Sequence, residues 1–521
     1  MSSSASASKT YNTVILGAGW SGAVAARELT KKGHSVLVLE ARDRLGGRAR
    51  TWADHTDGKT KIDLGCSWIH GYNEGNPAKE LAREFGVQAH LPKPAEGVIY
   101  GPDGPLSSEK AASLRASLSA AQAAFKLPHP APPASASLAS ALFSSSSPLY
   151  SSSASASSDP SNTDVSSTSP ANPSEPVKSS SASADTGSGA DKALLEGLAR
   201  TLEVPLGLKL ENASLKWAGW ETTTSFAGSD AAPEGGYQTL VSKVLESSGA
   251  DIKTGTEVTS VTLQKGEGIV EVKDQAGNTF TGKTVISTIP LGVLKKLLPS
   301  SSSSSSKFFT PALPARFLEA VSGTHVGVLE KLLVTYDQAW WPNASAVGSY
   351  TFLPTSSTAP TENSSVEEVL NASTLITANF NAPTLPGPSP TLLTYLSDTP
   401  AKLLLQRPKE EVIKGFHSFL VSRFDLTSSD VPAPTKGELT NWLTDKYSYG
   451  ATTTPSITTS EGSDIERSPM DFKELGRPAW DGVLGFAGEH TEMEHRGSVA
   501  GAVVSGYREA ERVDRLLKLR K

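Results

Sequence analysis

A chain of 521 residues exceeds what one hydrophobic core usually serves, which predicts two interleaved or consecutive domains. Hydrophobic residues make up 37% and charged residues 20%, and the polar excess sits in serine-rich blocks, so the folded part is smaller than the whole chain. The formal net charge of −6 argues against nucleic-acid binding, which calls for a basic patch, and mild acidity suits a cationic ligand.

Cys66 is the only cysteine, so no intramolecular disulfide, cysteine-based zinc site or iron–sulfur site can form, and a reducing compartment is expected. The N-terminus, MSSSASASKT, lacks the basic start and apolar stretch of a secretory signal, and no segment reaches the ~18 apolar residues of a membrane span. The expectation is a cytoplasmic protein with no metal and no membrane contact.

Along the chain, residues 13–16 read as a short apolar strand, 21–32 as an amphipathic helix and 35–39 as a second buried strand, which together make one βαβ unit. Between the first strand and the helix stands Gly17-Ala18-Gly19-Trp20-Ser21-Gly22, and Glu40 closes the second strand. Gly17 permits the tight turn, Gly19 lets the backbone approach a pyrophosphate, and Gly22 lets the helix pack closely on the strand. The helix N-terminus supplies amides and positive potential, and Glu40 can accept both ribose hydroxyls. Next comes Arg44-Leu45-Gly46-Gly47-Arg48, two arginines about a glycine pair, suited to a bidentate grip on a pyrophosphate.

Further on, residues 128–190, 300–306 and 354–365 are dominated by Ser, Ala, Thr and Pro and read as disordered insertions, because they cannot bury enough apolar surface to offset chain entropy. Strands are predicted at 258–263, 269–273 and 284–288, with a turn at 276–278. In residues 328–334 a period of two puts Lys331 on the face of Leu329 and Leu333, a costly place for an ammonium without a role or partner. Burial would lower its pKa; the alternative is a snorkelling lysine on an edge strand. A helix over 499–517 ends the chain.

The glycine loop and the Arg44–Arg48 segment together resemble the flavin amine oxidase superfamily. The resemblance recurs in the segments 63–71, Gly235-Gly236-Tyr237, 288–291, 485–491 and 497–502, and is nearest to polyamine oxidases. It implies an α/β fold with a discontinuous Rossmann-like FAD-binding domain (10–85, 233–295 and 470–521) and a mixed α+β substrate domain (86–232 and 296–469). It implies noncovalent FAD, contacted by Gly17, Gly19, Ser21, Gly22, Glu40, Arg42, Gly47, Arg48, Ser67, Trp68, Val258, Trp442, Glu489, Ser498 and Val499. Lys331 matches the lysine that holds a water against the flavin, and His70 stands where polyamine-oxidising members put a polar group near the amine. The helix starting at Val499 would direct its positive end toward the flavin, where negative charge gathers on reduction. The expected activity is oxidation of a small-molecule polyamine with O2 reduced to H2O2.

The sequence departs from the pattern at Thr452 and Ser498, where the amine site often has aromatic walls; Trp217, Trp220, Tyr447 and Tyr449 are candidate substitutes. A monoamine oxidase would carry its flavin on a cysteine far downstream of Cys66, and a histone demethylase would carry a coiled-coil insertion in place of the Ser/Ala/Pro-rich one. An amino-acid oxidase, or a catalytically silent flavoprotein scaffold, stays open.

Overall fold

The computed structural model describes residues 9–52, 61–126, 130–151, 189–220, 224–264, 266, 268–298, 307–456 and 468–520. The first strand, Thr10–Leu16, runs parallel to Val36–Leu39 on one side and to Thr279–Ser287 on the other. Thr13 to Leu16 are at most 2% exposed, as expected of a parallel strand covered on both faces. Asp251–Lys253 extends the sheet beyond Val36–Leu39, and Leu484–Phe486 joins Thr279–Ser287, both in parallel. Val258–Gln264 and Ile269–Asp274 add an antiparallel hairpin, and Phe309–Thr310 pairs in parallel with Val258–Gln264, giving eight strands in all. The three predicted middle strands are present. The last starts earlier, at Thr279, because Asp274 takes the Asn278 amide at 2.8 Å and closes the turn directly ahead of it.

The helices Trp20–Lys31, Tyr237–Glu246 and Val499–Leu519 pack together on one face. Trp20–Lys31 and Val499–Leu519 cross where a Cβ on Gly506 would lie 2.7 Å from the Ser21 carbonyl, so glycine sets how closely they approach. No helix of the described residues is long and apolar enough to cross a membrane.

A seven-stranded sheet runs in the order Lys436–Leu439, Leu329–Thr335, Thr391–Ser397, Leu375–Asn379, Val347–Phe352, Glu96–Gly101 and Gly104–Pro105. Alternation gives it two unlike faces. Leu332, Val334, Leu392 and Leu396 pack with Phe416 and Phe419 of the helix Lys409–Arg423 in a core cluster. The register Lys331↔Tyr395, Leu333↔Leu393 and Ala378↔Leu393 puts Lys331, Tyr395, Leu393 and Ala378 on the opposite face. Leu329–Thr335 is paired on both sides, so Lys331 does not snorkel from a sheet edge.

The segment 128–190 requires correction. Residues 130–151 are folded: Leu138–Leu142 forms a helix with a capping box at Ser137, and Leu142 and Leu149 are 0% exposed. They join a cluster with Leu114 and Leu118 of the helix Ser108–Lys126. A few leucines correctly spaced among serines suffice to bury this stretch, which average composition hides. Residues 354–365 are likewise a described loop, held by Thr355 N donating to Asn371 O at 2.8 Å and ending at the Ser365 cap. Residues 152–188 and 299–306 lie outside the described residues.

Replacing residues 153–187 with a short Gly/Ser linker is therefore expected to leave flavin content and thermal midpoint unchanged, since their composition offers almost nothing to bury. A deletion that also removes Leu138, Leu142 and Leu149 should yield insoluble, colourless protein, each buried leucine being worth about 2–5 kcal/mol. Equal behaviour of the two deletions would contradict this reading.

Candidate functional site

A cavity of about 2500 Å³ is walled by both sheets, well above the ~300–1,000 Å³ of a site for one small ligand. At its first end stand the two glycine loops. Gly17 has φ +110° and its missing Cβ leaves room for Thr288 Oγ1, 2.4 Å away; a Cβ on Gly22 would fall 2.1 Å from the Gly17 carbonyl. At Gly19 the nearest atoms to an added Cβ are Gly46 O at 3.9 Å and Gly47 Cα at 4.0 Å, so its Cα faces open space between the loops. Gly46 N donates to Ala18 O at 2.9 Å and ties one loop to the other.

Glu40 is buried and accepts the amides of Ala18 and Arg42 at 2.8 Å each, one per carboxylate oxygen. The two arginines predicted to act as a clamp behave differently. Arg44 donates to the carbonyls of Leu45, Gly47 and Ala49 and does not line the cavity, so it shapes the loop instead of gripping a ligand. Burial, followed by repulsion from Arg42 and Arg50, lowers it to about 10. Arg48 does line the cavity, donating to Ala451 O and to Glu489 Oε1 at 2.9 Å. Arg42 forks onto Asp445 at 2.7 and 3.1 Å and reaches Ser448.

Glu489 takes Thr453 Oγ1 at 2.7 Å and Gly497 N at 2.9 Å on its other oxygen. Burial pushes its carboxyl up, but Arg48, His490 and Thr453 together hold it below the usual range. Ser498 caps the last helix by accepting from Gly501 N at 3.0 Å, which leaves the first amides, at Val499 and Ala500, at the cavity wall. Ser21 is buried under that helix, 3.3 Å from Ser505 Oγ. Val258 lines the cavity where its strand bulges, beside Glu257.

The other end is built around Lys331, which is 6% exposed. Its Nζ donates to Asp63 O and Gly65 O, both at 2.7 Å, and to Ser67 Oγ at 2.5 Å, and lies 5.7 Å from the Tyr395 ring centre. Burial lowers the ammonium to about 8, with Asp63 and Cys66 pulling the other way. The Asp63 carboxyl is pushed up to about 6 by burial, against the pull of Thr51, Lys331 and the Tyr237 amide. Asp63 thus fastens the 63–67 loop to the start of the helix Tyr237–Glu246, through Tyr237 N at 3.2 Å. Glu330, on the strand's other face, accepts Thr440 Oγ1, Trp442 N and Leu443 N, and Trp442 Nε1 reaches Leu64 O at 3.1 Å. Trp442 is thereby fixed in the cavity wall.

Trp68 and His70 also line the cavity, and His70 Nδ1 lies 2.8 Å from Asp230 Oδ2. Gly47 and Ser67 also line the walls, whereas Gly22 does not: it packs under the Gly17 carbonyl and faces no ligand space. Of the four candidate aromatic substitutes, two reach the cavity. Tyr447 and Tyr449 line the cavity, but Tyr447 bonds Glu257 at 2.7 Å, beside Val258 and Arg42, and not at the Lys331 end. Trp217 and Trp220 do not appear among the described wall residues. The walls about Lys331 and His70 carry Tyr395, Phe380 and Phe226, the last stacked on His495 at 4.6 Å. Asp230 and these rings carried no local sequence signal, being drawn from segments far apart in the chain, and Asp63 and Glu330 lay in segments already singled out, 63–71 and 328–334, without their roles being legible. Among the described residues no group of three or more His, Cys, Asp or Glu could hold a metal ion.

Probable polyamine oxidase 4 of Arabidopsis thaliana is 23% identical over 528 residues, covering 97% of this chain and 87% of that protein. Polyamine oxidase 5 of Oryza sativa subsp. japonica is 25% identical over 503 residues, covering 96% and 87%. Lysine-specific histone demethylase 1 homolog 3 of Oryza sativa subsp. indica is 25% identical over 520 residues, but this chain spans 54% of its length. The sequence profile described as "Flavin containing amine oxidoreductase" matches residues 20–514, and the chain belongs to that family.

Proposed function

We propose that the protein is an FAD-dependent polyamine oxidase whose reacting centre lies beside Lys331, with FAD spanning the cavity from the Gly17–Gly22 loop to the Val499 helix start. The observation that carries this reading is one continuous cavity that joins two glycine loops at one end to a buried lysine and an exposed histidine at the other. A dinucleotide fits its residues. The Gly19 backbone is open to a phosphate, two helix N-termini reach the walls, and Glu40 has an unused lone pair on each oxygen for ribose hydroxyls. The first sheet and its helices would hold FAD, and the Lys331 face of the second would cover the substrate.

Bound FAD supplies an acceptor for the hydride leaving the carbon next to a neutral amine nitrogen, and a path for the electrons to O2, so that imine and H2O2 result. The protein's part is to bind, orient and exclude water. Lys331 locks the 63–67 loop, the amides at Val499 and Ala500 present positive potential, and His70 offers a hydrogen-bonding group to the amine. Cys66 sits in the wall, but burial pushes its thiol to about 12, which denies it the thiolate needed for a covalent flavin link. Acid precipitation should leave the yellow colour in the supernatant; flavin in the pellet would contradict noncovalent binding.

Polyamines are the preferred substrate class because the longest-covered relatives carry that name and His70 lies at the rim of the same cavity. A peroxide-coupled screen should find spermine or acetylated polyamines oxidised far better than benzylamine, tyramine or free amino acids. His70→Ala should lower polyamine turnover and leave the flavin spectrum intact. Preference for benzylamine or an L-amino acid by kcat/KM would overturn the substrate assignment.

A further inference from the structure

His70 and Asp230 stand 160 residues apart in sequence and meet at the cavity rim. Asp230 Oδ2 lies 2.8 Å from His70 Nδ1, and Asp230 Oδ1 accepts the Gly71 amide at 3.0 Å. The Asp230 side chain is 18% exposed, whereas that of His70 is 52% exposed and lines the cavity. An ionised carboxylate accepts hydrogen bonds and donates none, so the nitrogen facing it must carry the proton. In a neutral imidazole that leaves Nε2 as an acceptor, and no described residue donates to it.

We propose that Asp230 is a positioning residue that fixes His70 as the Nδ1–H tautomer, so that Nε2 accepts an N–H of the amine substrate. The backbone around the pair is stiff enough for this role. Gly71 has φ +62°, a Cβ there would fall 2.1 Å from the Phe226 carbonyl, and Asn76 Nδ2 donates to the carbonyls of His70 and Gly71 at 2.7 and 3.1 Å. The ring is therefore held at two points, its braced backbone and the carboxylate. An acceptor matches the chemistry of the substrate: a neutral secondary amine can give its one N–H to Nε2 and keep its lone pair free to assist loss of hydride, whereas an Nε2–H would tie up that lone pair and would oppose an ammonium with a competing donor.

The Asp230→Asn variant separates this role from mere support of the loop. Gly71 N still needs an acceptor, so the new amide must give its oxygen to Gly71 and its NH2 to Nδ1, which moves the ring proton to Nε2. The same substitution beside the catalytic histidine of a serine-protease triad preserves geometry while imposing the wrong tautomer.

This inference rests on the amine-oxidase reading, but its first test does not need turnover. In holoenzyme labelled with ¹⁵N-histidine, the His70 signals, assigned by their loss in His70→Ala, should show a protonated Nδ1 and an unprotonated Nε2, and Asp230→Asn should reverse them. Asp230→Asn should also lower kcat/KM for the best amine by about tenfold or more, yet change it by less than about twofold in a His70→Ala background. Asp230→Glu should recover part of the loss. An unprotonated Nδ1 in the unmodified protein, or an equal kinetic penalty in both backgrounds, would overturn the proposal. Absence of turnover with every amine would instead sink the reading it rests on and leave the tautomer assignment to the NMR result.

Discussion

Lys331→Met is expected to slow amine-driven flavin reduction, its reoxidation, or both, by more than about tenfold while FAD stays bound. The substitution keeps the bulk that fills the strand's face but removes the donor to Asp63 O, Gly65 O and Ser67 Oγ, so the 63–67 loop loses its tether beside the reacting centre. The stranded acceptors should cost about 1–3 kcal/mol of stability at neutral pH. The pH dependence provides a second check. The folded-state value of Lys331, about 8, lies below the ordinary 10.5, so the unfolded chain binds more protons between those limits and stability gains with rising pH. Relative to Lys331→Met, the unmodified protein should thus gain up to about 3 kcal/mol between pH 8 and 10.5. Kinetics within about twofold of the unmodified protein, with no such pH window in denaturant titrations, would leave Lys331 a packing residue.

The glycine loop gives the second large effect, as a contrast between neighbours. Gly19→Ala should fold, since the added Cβ meets nothing closer than 3.9 Å, yet bind flavin at least about tenfold more weakly, because the methyl group occupies the approach of the phosphates. Gly22→Ala should not fold normally: its Cβ would sit 2.1 Å from the Gly17 carbonyl, where only a shift of helix against strand can relieve the clash. Melting curves and flavin content of the two purified variants decide this. Full flavin content in Gly19→Ala, or a normal melting curve for Gly22→Ala, would contradict the assigned roles.

The sequence was most legible where function is local. The strand, glycine loop, helix and Glu40 lie within residues 10–40, and their spacing reflects a backbone problem with few solutions. Lys331 was half legible: a period of two gave its face, but only the pairing on both sides of its strand distinguishes burial from snorkelling. Arg44 was misjudged because composition cannot say whether a guanidinium turns toward a ligand or toward the carbonyls of its own loop. Asp230, and the role of Asp63 within the segment 63–71, were missed because each acts on groups distant in sequence, at His70 and Tyr237 respectively. The aromatic wall was misplaced for the same reason, Phe226 and His495 meeting from opposite parts of the chain. The serine-rich stretch before residue 152 was misjudged because four buried leucines and alanines outweigh a polar average.

The most direct test of the account is an anaerobic titration of the purified yellow protein with spermine or an acetylated polyamine. The account predicts that the polyamine bleaches the flavin absorbance without O2, and that admitting O2 restores it with one H2O2 released per flavin. A flavin that keeps its oxidised spectrum in the presence of every polyamine and simple amine tried, while remaining reducible by dithionite, would contradict it.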